Sequence, residues 1–254
     1  MAEQTGTVLI TGGSRGIGAA TVRLAAQAGH AVCFTYQSRA QAAQALVDEV
    51  RAAGGRAHAL QAEVRDGASA AALLQRLPAD FPPLTGLVNN VGITGPLGAF
   101  EKLGEATLRE VFEVNVIGAM LLAQQVLARW RATPAASPTA HRSIVNVSSI
   151  AATLGAPGEY VHYAASKAAL EAFTVGLAKE VAPQGVRVNC VSPGTTLTEI
   201  HATAGEPGRP QRVAARIPMG RPGEAEEIAQ AIVWLLSPQA SYATGSVLKV
   251  AGGL

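Results

Sequence analysis

The stretch Thr7-Val-Leu-Ile-Thr-Gly-Gly-Ser-Arg-Gly-Ile-Gly18 decides how the rest of the chain is read. Thr7–Thr11 is a short apolar run rich in β-branched residues, the composition of a buried strand. It passes directly into Gly12, Gly16 and Gly18, and an Ala-rich helical pattern covers 16–28. Glycines so placed let the backbone turn tightly, approach a pyrophosphate closely, and pack helix against strand. The start of the helix, with Ser14, Arg15 and Ile17 around it, offers free N–H groups and a positive dipole end to phosphate oxygens. Glycine-rich strand–helix turns also serve packing alone, so this one takes its meaning from its surroundings.

Outward from that turn, short apolar runs alternate with longer helical patterns to the end of the chain. Thr7–Thr11, Ala31–Tyr36, Arg56–Gln61, Gly86–Asn90, Ser143–Ser148, Val186–Val191 and Ser246–Val250 read as strands. Helical patterns cover 16–28, 39–53, 68–77, 105–131, 160–181 and 224–236. Strands that are apolar throughout suit a parallel sheet buried on both faces. Strand–helix repetition predicts an α/β fold, a doubly wound Rossmann-type parallel sheet with right-handed crossovers and helices on both faces. No linker or repeat divides it, so 1–254 reads as a single dinucleotide-binding domain. The Pro/Ser/Thr-rich stretch Thr133–Thr139 reads as a surface loop. Thr195–Met219 carries Gly205, Pro207, Gly208, Pro210 and Pro218 with little periodicity, and reads as a structureless lid over a binding site.

Composition bounds the function. The 254 residues are 48% hydrophobic, enough for a sizeable core, and the formal charge of +2 is scattered. No basic run interleaves with aromatics, which excludes a nucleic-acid surface as an expectation. No unbroken apolar stretch of membrane-spanning length and no export signal is seen, so a cytoplasmic protein without a membrane partner is expected. Cys33 and Cys190, the only cysteines, sit in strand-like runs and read as buried thiols of a reducing compartment. The five histidines lack metal-ligand spacing, so no metal is assigned. His162 and His201 read as surface residues, and Trp130 and Trp234 as packing residues of their helices.

Two constellations carry chemistry. A dinucleotide turn is ordinarily followed, at the end of the second strand, by an acid that binds a ribose hydroxyl. Here no Asp or Glu occurs from Gln4 to Val47. The strand ends at Tyr36, followed by Gln37, Ser38 and Arg39, so Arg15 and Arg39 are available to a 2′-phosphate. The alternative is two solvated arginines. The second constellation is Ser148-Ser149 with Tyr163 and Lys167. A phenol titrates near pH 10 in water, and an ammonium one helical turn away is expected to favour the phenolate. The serine hydroxyl would hydrogen-bond a substrate oxygen. An i,i+4 Tyr/Lys pair alone is a common surface feature.

With these residues assembled, the chain resembles the short-chain dehydrogenase/reductase family from its first strand to its last residues. Thr11–Gly18 matches the family's cofactor turn, and Asn89-Asn90-Val91-Gly92 resembles its Asn-Asn-Ala-Gly motif. Asn115 matches the helix asparagine of a proton relay through the lysine. Ser149, Tyr163 and Lys167 match the catalytic serine, tyrosine and lysine. Pro193, Gly194, Thr196 and Thr198 match the segment that orients the nicotinamide, and Glu63-Val64 stands where Asp-Val lies at the adenine. The resemblance implies about seven parallel strands, a nicotinamide cofactor, a small carbonyl or alcohol substrate, and a homotetramer or homodimer. The missing acid, with Arg15 and Arg39 available, makes NADP(H) the expected cofactor in preference to NAD(H). The resemblance reaches members similar to 3-oxoacyl-carrier-protein reductases and glucose dehydrogenases.

Three departures stand out. Ser149 and Tyr163 lie one residue further apart than in many members, which puts Ser148 beside Ser149 as an alternative and alters the Gly155–His162 loop. Glu63 replaces an aspartate. Tyr160 precedes Tyr163 by one turn but has Ala164, not a lysine, four positions on. In the lid, Glu199, Arg209, Arg212 and Arg216 read as solvated or substrate-facing. Arg129 and Arg131 would suit a carrier protein, yet Ala182-Pro183-Gln184-Gly185 has no basic residue, which weighs against one. A catalytically silent dinucleotide sensor or scaffold of this fold would need neither Tyr163 nor Lys167.

Overall fold

A computed structural model describes residues 6–133 and 141–254, so the predicted 133–139 loop falls outside the described residues except for Thr133. Seven strands form one sheet: β1 (Thr7–Ile10), β2 (Ala31–Tyr36), β3 (Arg56–Gln61), β4 (Leu84–Asn89), β5 (Arg142–Val147), β6 (Val186–Pro193) and β7 (Val247–Val250). Their spatial order is β3-β2-β1-β4-β5-β6-β7, and every pair is parallel. The predicted doubly wound sheet is therefore present. The order reverses between β1 and β4, and at such a switch point the loops leaving the two carboxyl ends part to form a crevice.

The helices are α1 (Gly16–Gln27), α2 (Ala40–Ala52), α3 (Gly67–Gln75), α4 (Glu105–Phe112), α5 (Gly118–Ala132), α6 (Ala151–Leu154), α7 (Val161–Val181), α8 (Ile200–Thr203), α9 (Arg209–Val213) and α10 (Ala225–Leu236). Alternation along the strands builds two cores. Val8, Ile10, Val32, Phe34 and Val145 share one with residues of α1, α2 and α10. Leu9, Cys33, Leu87, Ile144 and Val188 share the other with residues of α3, α5 and α7. Both cysteines are buried and unpaired, and burial pushes each thiol up to about 12.

Three expectations need correction. The predicted 105–131 helix is two helices joined by a π-helical turn at Glu113–Ile117, whose wider winding carries Asn115 inward. The 195–219 segment is not structureless, since it contains α8, α9 and a 3₁₀ turn at Ala214–Arg216. Helices this short have too few residues to show a periodic stripe, and Pro210 sits in the first turn of α9, where its missing N–H costs nothing. Trp234 is 42% exposed, whereas Trp130 is buried and donates Nε1–H to the Leu84 carbonyl at 2.7 Å. The run Glu105–Ala132 is long and apolar enough to cross a membrane, but α5 buries Leu122, Ala123, Val126, Leu127 and Trp130 under the sheet. That is the composition of a core helix.

Candidate active site

A cleft of about 670 Å³ opens along the carboxyl ends of the strands. Every residue predicted to bind or act on a cofactor lines it except Asn115, which lies fully buried behind Ile93. At one end is the glycine turn. Gly12 has φ of +66°, which disfavours any side chain, and a Cβ on Gly18 would collide with the Gly12 carbonyl. Thr35, which the sequence reading passed over, joins Thr11 and Asn90 in holding this turn in place. Gly12 N–H donates to Thr35 Oγ1 at 3.0 Å, and Thr11 Oγ1 accepts from the backbone N–H groups of Asn90 and Val91 at 3.0 and 3.1 Å. Asn90 Nδ2 donates to the Thr11 and Gly12 carbonyls at 2.9 and 3.2 Å, so the loop after β4 clamps the loop after β1.

Beyond the turn, Tyr36, Ser38 and Arg39 line one wall, with Glu63 and Val64 opposite. Glu63 is turned aside, accepting from Gln37 Nε2 at 3.1 Å and from Arg65 Nε at 2.6 Å. Arg15 and Arg39 are not simply solvated. Both converge on one carboxylate oxygen of Glu199, at 3.4 and 2.6 Å. Burial alone would raise Glu199, but the two guanidiniums hold its carboxyl below the usual range. No local signal pointed to this contact, because Glu199 is far from both arginines in sequence.

The reactive groups lie midway. Tyr163 and Lys167 are 7% and 2% exposed on the cleft face of α7. Ser148 Oγ is turned away, hydrogen-bonded to the Lys167 carbonyl at 3.1 Å and Glu171 Oε1 at 2.8 Å. Ser149 is the serine bonded to the Tyr163 phenol, and its Oγ also accepts from Ala151 N–H at 3.2 Å. Burial pushes the Tyr163 phenol above its ordinary value, with the Ser149 hydrogen bond opposing.

Lys167 departs from expectation. Its Nζ donates to the Val147 carbonyl at 2.8 Å and sits over the Tyr163 ring, 5.7 Å from the centroid. Burial brings the ammonium itself down to about 8. The carbonyl at the end of β5 holds the amine over the ring face. Asn115 Nδ2 donates to Ile93 O at 2.9 Å and Ser166 Oγ at 3.0 Å, while its Oδ1 accepts from Ile93 N–H at 2.8 Å. Asn115 and Lys167 meet at Gly92, where Nζ and Oδ1 stand 3.0 and 3.5 Å from the place a Cβ would occupy.

The far end mixes apolar walls, Leu154, Ala156, Pro157, Val213 and Ile217, with the charged side chains Glu159, Arg209 and Arg216. Tyr160 packs edge to face on Tyr163, with centroids 5.3 Å apart, and Arg209 stacks over Tyr160 at 5.0 Å. Glu159 binds both Arg209 and Arg212, fastening α9 to the loop before α7. The lengthened loop contains Ala156, the only non-glycine residue with positive φ among those described, at +46°. His162 is 2% exposed, not a surface residue, because it tucks under Gly95. His201 is also partly buried, its Nε2 3.0 Å from the Thr196 carbonyl. Thr196 Oγ1 donates to the Gly194 carbonyl at 3.1 Å, and Ile150 N–H donates to the Pro193 carbonyl at 2.8 Å. No cluster of metal-ligating side chains occurs among the described residues.

A family model described as enoyl-(acyl carrier protein) reductase matches residues 12–254. An uncharacterized oxidoreductase, YgfF, of Escherichia coli K12 is 49% identical over 96% of this chain and 98% of its own length. The 3-oxoacyl-[acyl-carrier-protein] reductase FabG of the same organism is 35% identical over 97% and 96%. Among solved structures, a short-chain dehydrogenase from Burkholderia cenocepacia J2315 in complex with NADP is 33% identical. It superposes with a TM-score of 0.88, covering 98% of each chain. The chain belongs to the short-chain dehydrogenase/reductase family of oxidoreductases.

Proposed function

We propose that this protein is an NADP(H)-dependent oxidoreductase that interconverts a carbonyl and a secondary alcohol, with Tyr163 as the general acid in reduction. The observation that carries the reading is that Ser149, Tyr163 and Lys167 line one cleft that continues into the glycine turn. The turn fits a dinucleotide because Gly12 and Gly16 take positive φ and Gly18 packs against the Gly12 carbonyl, as a tight strand-to-helix turn requires, and the start of α1 supplies N–H groups. Arg15 and Arg39 would hold a 2′-phosphate, while Gly194, Thr196 and Thr198 would border the nicotinamide. The related structure bound to NADP supports the same choice. When bound, the cofactor supplies the hydride in reduction and accepts it in oxidation.

Ser149 would polarise the carbonyl by donating to its oxygen, and Tyr163 would pass its proton to that oxygen as negative charge develops. Asn115 and Lys167 would return the proton from solvent. Ala182-Pro183-Gln184-Gly185, without a basic residue, favours a small ketone over an acyl-carrier substrate. The lid at 195–219 would close over it, within a single domain spanning 1–254. The buried thiols suit a reducing cytoplasm. A homotetramer or homodimer is favoured by exposed Phe112, Ile117 and Met120 on one face and Trp234 and Tyr242 on another.

Purified protein assayed with NADPH against ketones, 3-oxoacyl and enoyl thioesters, and with NADP against sugars, tests the reaction. Cofactor binding without turnover on any of them means a silent sensor. Charge-assisted hydrogen bonds contribute about 1.5–3 kcal/mol each, so about a 10–100-fold preference for NADPH over NADH is expected, lost in Arg39→Ala. Equal or tighter binding of NADH to the wild type overturns the cofactor choice.

A further inference from the structure

The corner that would receive the 2′-phosphate already holds an anion from the chain itself. Glu199 stands at the entry to α8 in the lid, and one of its oxygens lies 2.6 Å from Arg39 Nη2 and 3.4 Å from Arg15 Nη1. A second contact fixes the same segment, because the Thr198 methyl lies 3.2 Å from the place a Cβ on Gly16 would occupy. The lid thus rests on the phosphate turn at two consecutive residues. Glu199 is the only acidic residue between Thr195 and Gly205, and the carboxylate missing from the end of β2 is supplied here from a distant segment.

We infer that Glu199 is a specificity-determining residue that competes with the cofactor's 2′-phosphate for Arg15 and Arg39, and so couples occupation of that corner to release of the lid. The inference rests on the NADP(H) reading. Two guanidiniums satisfied by one carboxylate cannot present the same donors to a phosphate, and a dianionic phosphate left beside Glu199 would be repelled. An incoming 2′-phosphate therefore displaces Glu199. A cofactor with a free 2′-hydroxyl brings no charge to displace it and leaves the latch in place. All three side chains are between two-fifths and half exposed, so the latch is weak, worth about 2- to 10-fold in affinity.

The test uses adenosine 2′,5′-bisphosphate, which carries the 2′-phosphate without a nicotinamide, against 5′-AMP. The two ligands are titrated calorimetrically into wild type and Glu199→Gln, a variant that keeps the shape and removes the charge. We expect the bisphosphate to bind Glu199→Gln about 2- to 10-fold more tightly than wild type, with 5′-AMP unchanged. In hydrogen exchange, the bisphosphate should speed the amides of 199–213 in wild type, 5′-AMP should not, and Glu199→Gln should exchange fast without either. Unchanged bisphosphate affinity in Glu199→Gln, or protection of 199–213 by the bisphosphate in wild type, overturns the role of Glu199. If the bisphosphate binds no better than 5′-AMP to both proteins, the NADP(H) reading fails and takes this inference with it.

Discussion

Tyr163 and Tyr160 are a built-in comparison: two phenols one turn apart and edge to face, of which only the first is bonded to Ser149. Tyr163→Phe deletes the hydroxyl and keeps the ring. Turnover should fall by about 10²–10⁴ with cofactor affinity nearly unchanged, since positioned acids contribute on that scale. Tyr160→Phe should stay within about a few-fold, because its ring packing survives. Steady-state kinetics on both variants decides it, and a live Tyr163→Phe would end the assignment. Burial also sets the sign of the pH response. A phenol raised by desolvation is protonated, and so competent as an acid, throughout the neutral range. Carbonyl reduction should therefore be flat in pH where the protein is stable and Tyr163 is the titrating group. Alcohol oxidation needs the phenolate and should rise with pH beyond the usual phenol value, without a plateau near neutrality. A plateau below pH 8 would show that another group lowers the phenol in the loaded enzyme.

The elements differ in how far the sequence announced them. The turn from β1 into α1 was legible because its function is local: three glycines, a strand and a helix start lie within a dozen residues. Tyr163 and Lys167 were legible as one face of α7 for the same reason. The direction of the Lys167 amine was not, because the Val147 carbonyl that captures it comes from another strand. The π turn around Asn115 left no mark, since its composition is that of the flanking helices. Nor could the pairing of Glu199 with Arg15 and Arg39, or of Glu159 with Arg209 and Arg212, be read, as these are contacts between segments distant in sequence. The Glu199 pairs are about half exposed and open at little cost, while Arg209 is largely buried against Glu159 and Tyr160 and holds the other end of the lid more firmly. Amides of 199–213 should thus exchange much faster than those of α7 in the free protein, and gain protection when cofactor and ketone are both present. Mass-spectrometric hydrogen exchange measures this, and equal slow exchange in both segments would contradict it.

At the level of the molecule, exposed apolar side chains occur around the cleft and also at two places outside it. Phe112, Ile117 and Met120 lie around the π turn, while Trp234 and the fully exposed Tyr242 lie at and just after α10. Two separate faces of this kind are what a tetramer of dihedral symmetry requires, and one would serve a dimer. Light scattering on the wild type should give four chains. A Met120→Glu variant should give two, by charging one face and sparing the other. A monomeric wild type would refute the assembly.

The strand order has a consequence for how the chain comes to its shape. β1 pairs with β2 after a single helix, Thr7 opposite Ala31, but its other edge waits for β4, Thr7 opposite Leu84. Until that distant segment arrives, a central strand has an open edge, and closing such long loops makes folding slow. As the chain is synthesised from its amino terminus, β1 to β4 and the clamp of Asn90 on Thr11 can form before α7 exists. The core beneath β1 also needs Ile228, Ile232 and Leu235 of α10, so the cradle, though first to be synthesised, is sealed only by nearly the last helix. A chain cut short before α10 would lose its grip on a dinucleotide while keeping every residue of the glycine turn.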